Sequence, residues 1–211
     1  ATSAATYGDG SAGFKDDESI AALARLKPLN PSGWSKHAFD RWLARQKSPM
    51  QCVGLKFFNV YGPNEYHKGG QRSVVHQVYP FAMREEAFPL FKSHNPQYED
   101  GGQLRDFIWV GDCVHVMLWL YDHPKISGLF NLGTGKARSF ADLAIAVYRA
   151  AGKAPLIKYR DMPDELRAKY QYFTEAEMGK LRAAGYTAPF TSLEDGVKTY
   201  VQKYLAADPY I

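Results

Sequence analysis

Cysteine is scarce. The 211 residues hold only Cys52 and Cys113, each inside an apolar pattern and in no Cys-x-x-Cys spacing, so neither a disulfide framework nor a cysteine zinc site is available. Two buried free thiols are expected instead, which fits a reducing cytoplasm. No stretch approaches 18 consecutive apolar residues, and the first ten residues, ATSAATYGDG, lack the basic and apolar regions of a signal peptide. The chain is therefore expected neither to be exported nor to engage a membrane. There is also no basic block: 26 Lys and Arg against 22 Asp and Glu give a net charge of +4, spread along the chain. That distribution argues against a nucleic-acid surface while suiting a small anionic substrate. HExxH, GxSxG and clustered Cys/His spacings are absent, which leaves metal-hydrolase and serine-hydrolase chemistry without support. The GxGxxG fingerprint is missing too, because Gly133-Thr134-Gly135 lacks the third glycine and reads as a strand-end turn.

What is present is an alternation of strand and helix patterns in a chain that is 45% hydrophobic, enough for one sizeable core. Asn30-Pro31 reads as an N-cap and first helical position, and Trp34, Ala38, Phe39, Trp42 and Leu43 fall at helical spacing, so a helix is expected over about 31–46. Cys52 to Tyr61 reads as a strand stopped by Gly62-Pro63. A helix over 73–88 follows, then a short strand over 107–110, with Asp112 as the expected cap of the next helix. Phe130 to Leu132 forms another strand. Ser139 and Asp142 have capping-box spacing ahead of the stripe Phe140, Leu143, Ala144, Val147, Tyr148, Ala151. Leu156 to Tyr159 is a strand candidate, Thr174 with Glu177 is expected to open a helix that Gly185 closes, and Leu193, Val197, Tyr200, Val201 and Tyr204 mark the last helix. Strands alternating with helices imply an α/β fold with at least partly parallel pairing.

Four places can carry chemistry. Ser32 and Lys36 share a helical face at i,i+4, where a common ligand or plain solvation are the alternatives. Asn59, Tyr61, Gly62 and Pro63 end a strand, where open α/β sheets place their ligand crevices, although an Asn before Gly-Pro also simply closes a turn. His67 and Lys68 lie in the polar loop EYHKGG just beyond, and a lysine there can serve as acid/base or phosphate partner. Arg105 offers a guanidinium fork suited to a diphosphate, the alternative being a structural pair with Asp106.

Taken together, TSAATYG at 2–8, KPLNPSGWSK at 27–36, FFNVYGP at 57–63, HKG at 67–69, LRDFIWVGD at 104–112 and FNLGTG at 130–135 resemble the extended short-chain dehydrogenase/reductase family, its NAD-dependent epimerase/dehydratase members. HKG three residues after NVYGP, AKYQYFT at 168–174 and LRAAGY at 181–186 narrow the similarity to the branch that epimerises ADP-glycero-manno-heptose at C6, for the inner core of lipopolysaccharide. The resemblance implies an α/β fold: a partial, doubly wound Rossmann-type sheet plus a smaller α/β substrate-binding domain. Residues 1–62 would be the later part of the dinucleotide domain and 63–211 mainly the substrate domain, with segments near 105–150 returning to the sheet. The family's first strands and its Gly-rich phosphate turn would precede Ala1, roughly a hundred residues, the size of a small domain.

The resemblance also implies roles. Ser3 and Lys36 match two members of a Ser/Tyr/Lys set, Ser32 stands where that set has Tyr, and Lys68 matches a second acid/base. Lys36, Val60 and Lys68 match cofactor-binding positions; Asn59, Gly70, Gln77, Phe91, Lys92, Arg105 and Tyr170 match substrate-binding positions. The implied cofactor is NADP, with NAD as the alternative. The implied partners are the ADP-heptose substrate and further copies of the chain, since family members form pentamers; no metal, nucleic acid or membrane is implied. Two other readings stay open: an epimerase or dehydratase of another nucleotide sugar, and a catalytically inactive sugar-nucleotide-binding fragment, which the serine at 32 favours.

Overall fold

Strand β1 (Thr2–Ser3) is followed by a 3-10 turn, helix α1 (Ile20–Arg25) and helix α2 (Pro31–Leu43). This computed structural model describes residues 1–46, 48–167 and 170–207, so the first two residues of AKYQYFT lie outside the described residues. The expected strand over 52–61 divides into β2 (Val53–Phe57) and β3 (Asn59–Tyr61). The cause is a change of partner at Phe58. Its N–H donates to the Leu132 carbonyl at 3.1 Å, whereas the Asn59 N–H donates to the Asp106 carbonyl at 3.0 Å. Helix α3 (Val74–Met83) then ends well short of Phe88, because Glu85 takes a left-handed φ of 55° and turns the chain into β4 (Phe88–Phe91), which the sequence pattern does not announce.

The chain continues through β5 (Leu104–Arg105), β6 (Phe107–Trp109), α4 (Val110–Tyr121), β7 (Gly128–Leu132), β8 (Arg138–Ser139) and α5 (Phe140–Ala150). After these come β9 (Ile157–Arg160), α6 (Asp164–Arg167), α7 (Gly179–Ala183) and α8 (Leu193–Tyr200), the last running on as a π turn to Leu205. The Ser139/Asp142 capping box forms as expected. Asp112 does not cap α4; it lies inside the first turn, where its carboxylate accepts from the N–H and Oγ1 of Thr191, both at 2.8 Å. No helix starts at Thr174 either. The Leu104 N–H donates to Tyr172 O, Thr174 N–H to Leu104 O, and Ala176 N–H to Asp106 Oδ2, so the backbone at 172–176 is already engaged in an extended pairing.

Strands β1, β2 and β7 form a parallel sheet in that order, with Ser3, Phe57 and Leu132 in register at one edge. Its two faces are covered by different helices, as doubly wound sheets require. Leu55, Phe130 and Leu132 pack with Cys113, Val116 and Leu120 of α4, while Leu129 packs with Leu43 of α2, Tyr7 and Phe14. A third core joins α3, α5 and α8 around β4 and β6. Parallel β3–β6 and β4–β9 pairs and an antiparallel β5–β8 pair complete the strands. Among the described residues no helix is long and apolar enough to cross a membrane. Cys113 is buried, but Cys52 is only half-buried.

The face beneath α2 is polar. Thr2, Lys56 and Asn131 are in register across the three strands and all are buried. The Lys56 ammonium donates to Asp40 Oδ2 at 2.6 Å and to Thr6 Oγ1 at 2.8 Å and sits 4.7 Å above the Tyr7 ring. Burial pulls that ammonium below its ordinary pKa, while Asp40 and Asp16 act against the shift. The Tyr7 hydroxyl donates to Asn131 Oδ1 at 2.6 Å, and burial beside Asp16 holds it protonated. A helix over this row must turn polar side chains inward: Gly33, His37, Asp40 and Leu43 are the buried residues of α2. The aromatic residues of the helical stripe face outward, with Trp34, Phe39 and Trp42 exposed by 49%, 41% and 55%.

Both Lys56 and Asp40 are at most 1% exposed, and buried charges lose far more when one partner is removed than when both are. Lys56→Met is expected to cost about 3–5 kcal/mol in urea unfolding, and adding Asp40→Leu should recover most of it; a double variant no better than the single one would contradict this. His37 and His76 are both held below their ordinary pKa, first by burial and then by Lys56 or Arg72. The unfolded chain then binds the extra proton first, so stability is complete above about pH 6.5 and falls as pH drops toward the folded values, by up to about 1.4 kcal/mol per pH unit for each histidine. Replacing both should flatten that slope in unfolding measured from pH 7.5 to 5.

Candidate active site

Parallel strands end at a common edge, and here that edge collects Ser3 from β1, Phe58 and Asn59 after β2, and Gly133-Thr134 after β7. The β1–α2–β2 connection starts α2 from the same edge, with Ser32 and Lys36 in its first turns. The approach is close: a Cβ on Gly33 would stand 2.9 Å from the Ala5 carbonyl oxygen and 2.9 Å from Pro28 Cβ. Only glycine lets the first turn of α2 lie on the turn that follows Ser3. The capping is local and complete, since Asn30 Oδ1 accepts from the Gly33 N–H at 2.8 Å and Ser3 Oγ from the Ala5 N–H at 3.1 Å. Ser32 is exposed, Ser3 and Lys36 are half-buried, and the Ser35 hydroxyl donates to the Ser32 carbonyl at 2.8 Å.

Of the segment after β2, Asn59 is exposed and Val60 half-buried, whereas Tyr61 belongs to the core. Its ring packs on Trp109, and a Cβ on Gly196 would come within 2.0 Å of its hydroxyl. Tyr61 is thus a packing residue. The chain then loops outward through a 3-10 segment, Tyr66–Gln71, which holds Lys68 and Gly70 in solvent. Gln77, half-buried on α3, closes this loop by donating from Nε2 to the Arg72 carbonyl at 2.7 Å.

Arg105 and Asp106 do not pair. Asp106 is buried and accepts from the Thr134 N–H and Oγ1 (both 2.7 Å) and from the N–H groups of Gly135 (2.9 Å) and Ala176 (3.0 Å), so it is the knot of the GTG turn. Arg105 points the other way, its guanidinium 5.4 Å from the Tyr170 ring and 5.6 Å from Phe140, with Nη1 donating to the Leu104 carbonyl. Burial lowers its pKa, and among the described residues no ion pair includes it. A guanidinium stays charged under such conditions, so this is a half-buried cation facing rings.

Tyr170 meets Phe91 edge-on at 6.4 Å and Tyr172 at 5.5 Å; Tyr98 lies 5.2 Å from Tyr172. Arg160, in register with Phe91, covers that ring at 4.8 Å. The exposed Lys92 pairs with Asp161 at 3.3 Å. Tyr98, Tyr172 and Arg160 were not singled out in the sequence. The Tyr-x-Tyr alternation at 170–172 puts two rings on one side of an extended chain, a readable signal, whereas Arg160 is placed by a strand register that no local pattern shows. The cluster offers flat rings and a positive fork, as a nucleoside diphosphate requires.

Residues 1–133 match the NAD dependent epimerase/dehydratase family. A curated relative from Nitratidesulfovibrio vulgaris strain Hildenborough, named ADP-L-glycero-D-manno-heptose-6-epimerase, is 57% identical over 100% of this chain and 65% of its own length. One of the same name from Fusobacterium nucleatum is 50% identical over 99% of this chain and 65% of its own length. Among solved structures, Helicobacter pylori ADP-L-glycero-D-manno-heptose-6-epimerase has a TM-score of 0.75 at 26% identity, covering 98% of this chain and 58% of that one. Thermus thermophilus UDP-glucose 4-epimerase in complex with NAD has a TM-score of 0.74 at 26% identity, covering 98% and 63%. The chain thus spans about 65% of the length of the curated relatives it matches.

Arg105→Ala is expected to weaken binding of a nucleoside diphosphate such as ADP by about 1.5–3 kcal/mol in calorimetry, with the thermal midpoint little changed because no carboxylate loses its partner. A large fall in thermal midpoint at unchanged affinity would make Arg105 structural.

Proposed function

The chain belongs to the NAD-dependent epimerase/dehydratase family, and from that premise we propose that it carries the proton-transfer and substrate-binding parts of an ADP-glycero-manno-heptose 6-epimerase of lipopolysaccharide inner-core synthesis. The observation that supports the substrate class is the half-buried Arg105 guanidinium, facing the Tyr170 and Phe140 rings and, among the described residues, in no ion pair. It suits the diphosphate of a sugar nucleotide, with Phe91, Lys92 and Tyr170 at the base and Asn59, Gly70 and Gln77 toward the sugar.

The donor set at the sheet edge fits the nicotinamide end of a dinucleotide: a half-buried amine at Lys36, a hydroxyl at Ser3 and the backbone at Val60, on a helix whose first turn Gly33 lets lie against the strand end. When bound, NADP, or NAD in its place, supplies an acceptor for the hydride leaving C6 with its electron pair and a donor returning it to the opposite face. Ser3 hydrogen-bonds the C6 oxygen. Lys36 holds the ribose and makes the group at position 32 a stronger acid by its charge. A two-faced reaction requires an acid/base on each side: a tyrosine at position 32 would take the hydroxyl proton on one face, a phenol that Ser32 does not supply, and Lys68 handles it on the other. Residues 1–62 serve the dinucleotide part and 63–211 mainly the substrate part, with segments near 105–150 returning to the sheet. The compartment is the cytoplasm, and the exposed Trp34, Phe39 and Trp42 support association with further copies of the chain.

Ser32 favours a second reading, a sugar-nucleotide-binding protein without turnover, because a serine hydroxyl is a far weaker acid than a phenol and a shorter reach. One substitution separates the two. In the full-length protein Ser32→Tyr is expected to raise interconversion of the C6 epimers by about 10²–10⁴ with ADP-heptose affinity nearly unchanged. Full-speed turnover with Ser32 in place would assign the proton transfer to another group; no turnover in either form would leave the binding reading.

A further inference from the structure

We propose that Glu65 is a positioning residue: its buried carboxylate clasps the two ends of the loop bearing Lys68 to one another and to α8, and so fixes where the Lys68 amine stands. The proposal rests on the reading of Lys68 given above. The loop leaves β3 at Gly62-Pro63 and returns at Ser73, the N-cap of α3. Its 3-10 segment, Tyr66–Gln71, contains no buried residue, and it kinks at Gly69, where φ is 55°. A Cβ on Gly69 or Gly70 would meet nothing within 4 Å. The segment that carries Lys68 is therefore solvent-exposed throughout.

What holds it lies at its ends. Glu65 is 3% exposed. Its Oε2 accepts from the Ser73 N–H at 2.8 Å, and its Oε1 accepts from the Ser73 hydroxyl at 2.5 Å and from the Tyr200 hydroxyl at 2.9 Å. The Glu65 carbonyl accepts from the Lys68 N–H at 3.0 Å, so one residue secures both the loop closure and the backbone at Lys68. Behind Tyr66 stands His76, 4% exposed, its ring edge-on at 4.5 Å. Burial together with Glu65 keeps the Tyr200 hydroxyl protonated, and hence a donor.

A carboxylate is an acceptor only, and all three partners are donors. Glutamine in its place keeps one acceptor but presents an N–H2 to the others, so a hydroxyl must turn to accept and the charge-assisted bonds are lost at nearly constant volume. Glu65 itself need not touch substrate; its effect travels through the loop, and a misplacement of about 1 Å at a reacting group can cost about 10²-fold in rate.

The test uses the full-length protein with Glu65→Gln and Tyr200→Phe. Glu65→Gln is expected to lower kcat by about 10–100-fold with KM within about threefold, and to speed amide exchange at Lys68 and Arg72 by about tenfold or more while exchange in α5 stays as it was. Tyr200→Phe should act in the same direction and less, and it decides by the same two readouts if Glu65→Gln does not fold. Wild-type kcat, unaltered loop exchange, or exchange raised evenly over the whole molecule would each overturn the proposal. Lys68→Met with undiminished turnover would contradict the reading of Lys68 instead, and the exchange data, which need no turnover, keep the two failures apart.

Discussion

The buried pair of Lys56 and Asp40 is the constraint on which the arrangement of the site depends. Two charges with at most 1% exposure are tolerable only when geometry satisfies them, and here the ammonium also bonds Thr6 and faces the Tyr7 ring. The pair fixes both the rotation and the height of α2 over the sheet. With Asp40 turned inward, Gly33 falls against the turn after Ser3, and Ser32 and Lys36 emerge at the strand edge. The same polar row, continued by Asn131 to Asp16, Phe14 and Glu177, ties the sheet to the segment that precedes α7. The placement of the first turns of α2 is thus set from beneath, by buried groups of the sheet.

Much of the fold is legible in the sequence because capping and periodicity are local. Asn30 with Pro31, Ser73 and the Ser139/Asp142 box each start a helix where the chain says so. What is not legible depends on partners far away in sequence. The stripe at Trp34, Phe39 and Trp42 has the spacing of a core face, yet a polar row contributed by β1, β2 and β7 turns it outward. The strand over 52–61 breaks because β2 pairs with β7 and β3 with β6. Thr174 and Glu177 have the spacing of a helix start, but Leu104 and Asp106 hold their backbone extended.

The site divides the same way. Ser3 ends β1, and Ser32 and Lys36 lie in the first turns of α2, elements of one β–α–β connection, so spacing and resemblance suffice to group them. Arg105 and Asp106, adjacent in sequence and opposite in charge, invite pairing, yet alternation along an extended chain sends them to different faces: one knots a turn, the other meets Tyr170. Arg160 reaches Phe91 only through the β4–β9 register. Glu65, embedded in a polar loop motif, gives no sign that it is buried, because its partners are the hydroxyl of Tyr200, 135 residues away, and the cap of the following helix.

If the two clusters serve one reaction, a single ligand must reach both, its base and diphosphate at Phe91, Arg105 and Tyr170 and its sugar at the loop of Lys68. The most direct measurement is a nuclear magnetic resonance titration of the protein with ADP-heptose, following backbone amides. Shifts are expected in 91–93, 104–105 and 170–172 and, with the same saturation, in 67–70. Shifts confined to the α5–α8 face, or saturating at the two clusters with different affinities, would contradict it.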